Sequence, residues 1–306
     1  MNFLSNNSHV RILCTARYVT LTDLNPAVEL LESWGLRVSL GNSIDKIHHQ
    51  MGGDVDLRVQ DFVDAYFDDD IDIIWIARGG YGTVQVIDKM DVDGITLSRK
   101  RNNQNSKLII GYSDVTYLHA RLNRLGIASI HGFMPLEITS KSKAAIESLK
   151  TILSGKTHKT EIPNTGIIKN QEITGIIVGG NLSILYGLLG SDDFPDTDGT
   201  ILFIEDIDEY LYHIERMMFS LKRAGKLSHL KALVVGGMTD MNDHDIPFGK
   251  SAVTIIKDIT KEYNYPVIFN FPAGHIQDHR CIILGTKMHV SIRKDHITFK
   301  QQYGTA

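Results

Sequence analysis

The segment Gly111-Tyr112-Ser113-Asp114 joins an apolar run, Lys107–Gly111 (KLIIG), to a stretch with helical spacing that begins at once. A serine in a tight strand-to-helix turn lifts its hydroxyl above the sheet, close to the first N–H groups of the helix and their partial positive charge. That arrangement suits attack on a carbonyl, because the oxyanion formed meets donors already in place. Serine and aspartate are also favoured helix N-caps, and the second glycine usual in a nucleophile elbow is absent, so a capping role competes with catalysis. A second turn, Arg78-Gly79-Gly80-Tyr81-Gly82, follows the apolar run Ile71–Ala77 (IDIIWIA). Its glycines permit positive φ and close approach of backbone N–H groups to a ligand, with Arg78 available for a carboxylate. An oxyanion cradle, a phosphate loop and a plain tight turn all fit, but the spacing is neither a Walker nor a dinucleotide fingerprint.

Two residues from the second half complete a possible charge-relay set. Glu205 ends the apolar run Thr200–Glu205 (TILFIE), and a carboxylate at the carboxyl end of a buried strand suits the orienting of an imidazole. A helix-start acid is the plainer reading. His275 lies in Phe271-Pro272-Ala273-Gly274-His275, a shaped loop after the run Val267–Asn270, which sets it apart among 13 histidines. His279 lies four residues further on as a rival base. His48, His49 and His244 occupy polar, surface-like stretches. Gly179-Gly180-Asn181-Leu182 joins another strand to a helix, where Asn181 can line a cleft, and His131-Gly132 follows the short strand Ile127–Ile130 as structural support.

The elements that must position these residues alternate. Strands are predicted at His9–Cys14, Leu36–Leu40, Ile71–Ala77 and Lys107–Gly111. Helices are predicted at Thr22–Trp34, Asp56–Phe67, Thr83–Met90 and from Asp114 to about Leu125. Continuous apolar strands in this rhythm mean a parallel α/β sheet with right-handed crossovers, whose ligands sit outside the strands' carboxyl ends. Both turns described above occupy that position. The polar stretch 140–171 reads as a linker between an N-terminal α/β domain (1–139) and a smaller C-terminal α/β domain (172–306). In the latter, strands are predicted near Ile173–Val178, Thr200–Glu205, Ala232–Gly236 and Val267–Asn270, and helices near Leu182–Leu189, Tyr210–Ala224 and Ser251–Tyr263. The tail CIILGTKMHVSIRKDHITFK alternates as antiparallel strands do.

Composition sets the bounds. The chain has 306 residues, 42% hydrophobic and 22% charged, which suits two globular domains without disulfides. A formal net charge of −4 offers no field for nucleic acid or anionic lipid, and the basic runs Arg99–Arg101 and Lys222–Lys226 are short. Cys14 and Cys281 lie far apart with no metal-type spacing, so no metal or other cofactor is expected, and a reduced cytoplasm fits two buried thiols. No signal peptide or membrane span of about 20 apolar residues is evident.

Taken together, the segments resemble the LD-carboxypeptidase family, which includes the microcin C self-immunity proteins. The resemblance rests on RGGYG (Arg78–Gly82), GYSD-x-T (Gly111–Thr116), HG-x-M (His131–Met134), GGNL (Gly179–Leu182), LFIED (Leu202–Asp206) and GH (Gly274–His275). They run in family order over most of the chain. The resemblance implies a serine carboxypeptidase with Ser113 as nucleophile, His275 as general base and then acid, and Glu205 as the group that orients the imidazole. It places the oxyanion on the backbone N–H of Asp114 and Gly80, and substrate contacts at Arg78, Gly79, Tyr81 and Asn181. It further implies a cytoplasmic homodimer that releases the terminal D-alanine from murein tetrapeptide in cell-wall recycling. The chain departs from the family at Leu13-Cys14-Thr15-Ala16-Arg17, where Pro-Ser is usual, and at Phe133, where proline follows the histidine-glycine pair. The first departure bears on substrate contacts at the sheet edge. Two rivals remain: an amide hydrolase of aminoacyl-nucleotide conjugates, and a non-catalytic protein that holds an anionic ligand. The first calls for an aromatic on a cleft loop, and the stretch Leu189–Asp198 carries only Phe194.

Overall fold

The structure is a computed structural model, which describes residues 2–4, 7–91, 94, 107–167 and 169–303; the basic run Arg99–Arg101 lies outside the described residues. The first half alternates β1 (His9–Leu13), α1 (Leu21–Ser33), β2 (Arg37–Leu40), α2 (Val55–Phe67), β3 (Ile73–Ile76), α3 (Thr83–Lys89), β4 (Leu108–Gly111), α4 (Thr116–Arg124) and β5 (Ser129–His131). Next come α5 (Lys143–Leu153), β6 (His158–Pro163), β7 (Gln171–Asn181), α6 (Leu182–Gly187), β8 (Ile201–Ile207), α7 (Leu211–Arg223), β9 (Ala232–Thr239) and α8 (Ala252–Thr260). The chain closes with β10 (Val267–Ile268), β11 (Ile282–Leu284), β12 (Lys287–Ile292) and β13 (His296–Gln301).

The first sheet has the order β11-β5-β4-β3-β1-β2, parallel except for β11 against β5. Its central strands β3 and β4 are buried on both faces, which explains their unbroken apolar runs. On one face Leu24, Ala27 and Leu31 of α1, with Leu149 and Ile152 of α5, meet Val10, Ile12, Trp75 and Ile110. On the other, Phe62 and Tyr66 of α2, Val86 of α3 and Leu118 of α4 meet Leu13, Ile74, Ile76 and Ile109. The chain reverses its winding between β1 and β3, and that switch point opens a crevice at the carboxyl ends of β1, β3 and β4. Helix starts follow local chemistry. Thr20 and Asp23 form a capping box before α1, and Asp54, Ser142 and Ser251 cap α2, α5 and α8.

The second sheet has the order β10-β9-β8-β7-β12-β13-β6, parallel from β10 to β7 and antiparallel from β7 to β6. The fold is thus the expected mixed α/β arrangement with antiparallel tail strands, but one tail segment goes elsewhere. Strand β11 crosses to the first sheet and divides its side chains: Ile283 joins the first core, and Ile282 and Leu284 join the second. The side-chain amide of Gln301 closes the outer edge of β11, accepting from the Ile283 N–H and donating to its carbonyl. Within the stretch 140–171, α5 packs on the first sheet and β6 forms the edge of the second.

Candidate active site

Ser113 stands one residue beyond β4, after Tyr112, and opens a short 3₁₀ turn with φ of 58°, a left-handed conformation that a β-substituted residue adopts only under constraint. Asp114 supplies part of that constraint. Its carboxylate is buried, and Oδ2 accepts from the Thr83 N–H at 2.8 Å. Gly82, the residue before α3, has no side chain with which to cap it, so Asp114 caps that helix from the neighbouring loop. Burial pushes the Asp114 carboxyl up, against the Thr83 hydrogen bonds and the charges of Arg58 and Arg17. The two turns singled out in the sequence are therefore one unit.

Arg58, which the sequence did not flag, tightens the unit from below. It is buried in α2, and its Nη1 donates to the carbonyls of Thr15 at 2.5 Å and Gly82 at 3.1 Å. The loops after β1 and β3 are thereby tied together, and a Cβ on Gly82 would lie 2.9 Å from the Ala16 Cα. Gly80 has φ of 100°, and a Cβ there would lie 2.7 Å from the Arg17 side chain, which crosses directly over this peptide.

The second half delivers its residues from the end of β8 and the loop after β10. Glu205 is wholly buried, and its Oε2 lies 2.7 Å from His275 Nδ1. Gly274 makes that approach possible: a Cβ on it would sit 2.7 Å from Glu205 Oε2, and its φ is 107°. Burial tends to lower the His275 pKa, but the hydrogen bond and charge of Glu205, with Glu137 and Asp206 beyond, outweigh it and hold the imidazole above its usual value. Asp206, beside Glu205, is pushed up to about 7 by burial and then by its charged neighbour, although Asn181 and the Ile207 N–H donate to it.

The halves are joined where the site forms. The Asn181 N–H donates to Thr116 Oγ1 at 3.0 Å, and a Cβ on Gly180 would lie 2.5 Å from the same oxygen. Ser113 and His275 line one cavity of about 470 Å³ between the two sheets, with Asp114, Arg78, Gly79, Gly80 and Asn181. Tyr81 is not among its lining residues and is 48% exposed. The Asn181 side chain is committed internally: its amide donates to Asp206 and its oxygen accepts from the Ser183 hydroxyl and the Ile184 N–H. Arg78 donates from Nη1 to the Tyr18 carbonyl.

Several lining residues escaped the sequence analysis. Arg17 stands where the family pattern differs, and that departure was its one sequence signal. Glu137 accepts from the Tyr112 hydroxyl at 2.6 Å and pairs with Lys141 at 3.0 Å. The Tyr112 ring lies 4.7 Å from the His275 ring and flanks it. The rival histidine, His279, is wholly buried, 3.2 Å from His131 rather than on the cavity. Both cysteines are buried and free, and among the described residues no cluster of His, Cys, Asp and Glu could hold a metal ion.

Fold and site together define a mixed α/β protein with a left-handed serine and a glutamate-bound imidazole lining one crevice. The LD-carboxypeptidase N-terminal domain matches residues 10–132 and the LD-carboxypeptidase C-terminal domain matches 174–290, so the chain belongs to the LD-carboxypeptidase family. It is 26% identical to the murein tetrapeptide carboxypeptidase of Pseudomonas aeruginosa, over 90% of each chain. The structure of muramoyltetrapeptide carboxypeptidase from Oxalobacter formigenes superposes with a TM-score of 0.84 at 25% identity, covering 95% of this chain and 99% of that one. Microcin C7 self-immunity protein MccF, in complex with glutamyl sulfamoyl guanosine, shares the fold with a TM-score of 0.83 at 22% identity, over 98% and 97% of the two chains.

Proposed function

We propose that this protein is a serine LD-carboxypeptidase that releases the terminal D-alanine from murein tetrapeptide. The observation that carries the reading is the pairing of His275 Nδ1 with Glu205 Oε2 at the wall of the cavity that Ser113 also lines. That bond fixes the proton on Nδ1 and turns Nε2 into the base. His275 takes the Ser113 proton as Oγ attacks the scissile carbonyl, and the negative charge develops on an oxygen held by the N–H groups of Asp114 and Gly80. The same imidazole then protonates the departing amine of D-alanine. Water, deprotonated by His275, hydrolyses the acyl-enzyme and regenerates Ser113.

An exopeptidase must also hold the free carboxylate of its substrate. Arg17 and Arg78 both line the cavity beside Gly80. Arg17 suits the role better, because its guanidinium has no hydrogen-bonding partner among the described residues, whereas Arg78 gives one N–H to Tyr18. The aminoacyl-nucleotide reading gains no support from loop 189–198. Phe194 is buried there beneath Lys226, whose Nζ lies 4.8 Å from the ring centre, and offers no face to a base.

Mass spectrometry of murein tetrapeptide after incubation tests the proposal. The expected product is the tripeptide, lighter by one alanine residue, with no conversion by Ser113→Ala at an unchanged circular dichroism spectrum. Full activity in that variant would overturn the serine mechanism.

A further inference from the structure

The triad accounts for only one oxygen of Glu205. Its other oxygen, Oε1, is buried without a hydrogen-bonding partner, and so is His131 Nε2. These two atoms face each other at 4.0 Å, and both side chains are wholly shielded from water. A carboxylate removed from solvent loses its hydration, a loss offset only where donors replace water on both oxygens. An N–H···O bond forms at about 2.7–3.2 Å, so an approach of roughly 1 Å completes one here.

The neighbours of His131 set where its proton lies. Its Nδ1 is 3.2 Å from His279 Nε2, and the remaining nitrogen of His279 has no partner. Burial, and then neighbouring cations and imidazoles, push both rings well below the usual histidine range, so both are neutral near pH 7. Each neutral ring carries one proton. If His279 donates from Nε2, His131 accepts on Nδ1 and carries its own proton on Nε2, aimed at Glu205. The opposite tautomers would leave an imidazole lone pair facing the carboxylate. His119 cannot take over the role: it is pinned between Ser129 Oγ and the Gly111 carbonyl. The other groups around His131 are its own main-chain carbonyl and the rings of Tyr112 and Phe203.

We propose that His131 is a positioning residue for the catalytic glutamate: its Nε2–H donates to the Glu205 oxygen that His275 leaves free, and His279 Nε2–H holds it in that tautomer. The chain His279–His131–Glu205–His275 then reaches Ser113, with imidazole N–H donors converging on the Glu205 carboxylate from both sides. His131 ends β5 in the first sheet and Glu205 lies in β8 of the second, so the bond also sets the two halves at catalytic distance. The inference rests on the hydrolase reading above, and it gives the HG pair a task beyond supporting the first loop.

Three substitutions separate positioning from packing. His131→Leu should lower kcat on murein tetrapeptide on the order of 10- to 100-fold, the range seen when a partner that orients an active-site ligand is lost, with KM nearly unchanged. His131→Gln, whose amide reaches the Nε2 position, should recover most of kcat. His131→Asn, whose amide reaches only the Nδ1 position, should not. Equal activity in the glutamine and asparagine variants, or wild-type kcat in the leucine variant, would overturn the proposal. Nitrogen-15 imidazole shifts of the wild-type protein decide it where the variants fail to fold: His131 must be protonated on Nε2, and an Nδ1 proton there sinks the idea. Failure of the wild-type enzyme to release alanine would strike the hydrolase reading, whereas the tautomer is read without turnover.

Discussion

At the scale of single residues, the imidazole of His275 is tuned by one neighbour above all. Its pKa is held above the usual value near 6.5 because Glu205 stabilises the cation more than burial penalises it. In the proposed mechanism His275 acts as the neutral base, so the acid limb of kcat/KM should have its midpoint above about 6.5. Glu205→Gln should move that midpoint down and lower kcat, by as much as about 10⁴-fold if the tautomer is lost; a pH–rate profile of both proteins checks this. The sign for stability follows from the same shift. A raised imidazole stabilises the fold fully below its unfolded value and loses that contribution as the pH rises through the folded one, so the glutamine variant should lose more stability at pH 5.5 than at pH 8.5. The two arginines make a second residue-level prediction. Arg17→Ala should reduce kcat/KM about 10- to 100-fold on the free-carboxylate peptide, as expected for one charge-assisted hydrogen bond, and leave slow turnover of the C-terminal amide unchanged. Equal losses on acid and amide would show that Arg17 holds the loop rather than the substrate.

At the scale of elements, the site is built by strand ends that approach closely enough to require glycine. Gly179 shows the limit: its φ is 126°, and a Cβ would lie 2.0 Å from the Phe203 carbonyl oxygen on the neighbouring strand β8. Gly179→Ala should cost roughly 2–6 kcal/mol, combining backbone strain with overpacking against a strand that cannot yield. Gly199, with φ of 67° and nothing within 4 Å of its Cβ position, serves as the control. Gly199→Ala should cost about 1 kcal/mol, the strain alone. Urea unfolding of the two variants measures the difference.

At the scale of the whole molecule, the halves share structure and do not merely touch. Strand β11, from the second half, pairs with β5 of the first sheet, and Ile282, Ile283 and Leu284 are wholly buried. A fragment ending at residue 170 would expose the β5 edge and the core surface that Ile283 covers. It should be aggregation-prone or molten, with dye-accessible apolar surface and weak near-ultraviolet dichroism. A fragment that folds cooperatively would contradict this account.

Much of the architecture was legible in the residues alone, because the relevant physics is local. Unbroken apolar runs such as IDIIWIA announce strands covered on both faces, and helical spacing announces the helices predicted at Thr22–Trp34 and near Ser251–Tyr263. The glycine turns and the serine between strand and helix were visible for the same reason. Contacts distant in sequence were not. That β11 would leave the tail strands, that Asp114 would cap a helix 31 residues earlier in the chain, and that Arg58 would tie two loops from beneath depend on where strands cross in space. Arg17 and the partner of His131 belong to the same group. Periodicity and turn chemistry fix what each segment becomes, but only packing in three dimensions decides which buried charge meets which donor, because that energy exists only once water has been excluded from both.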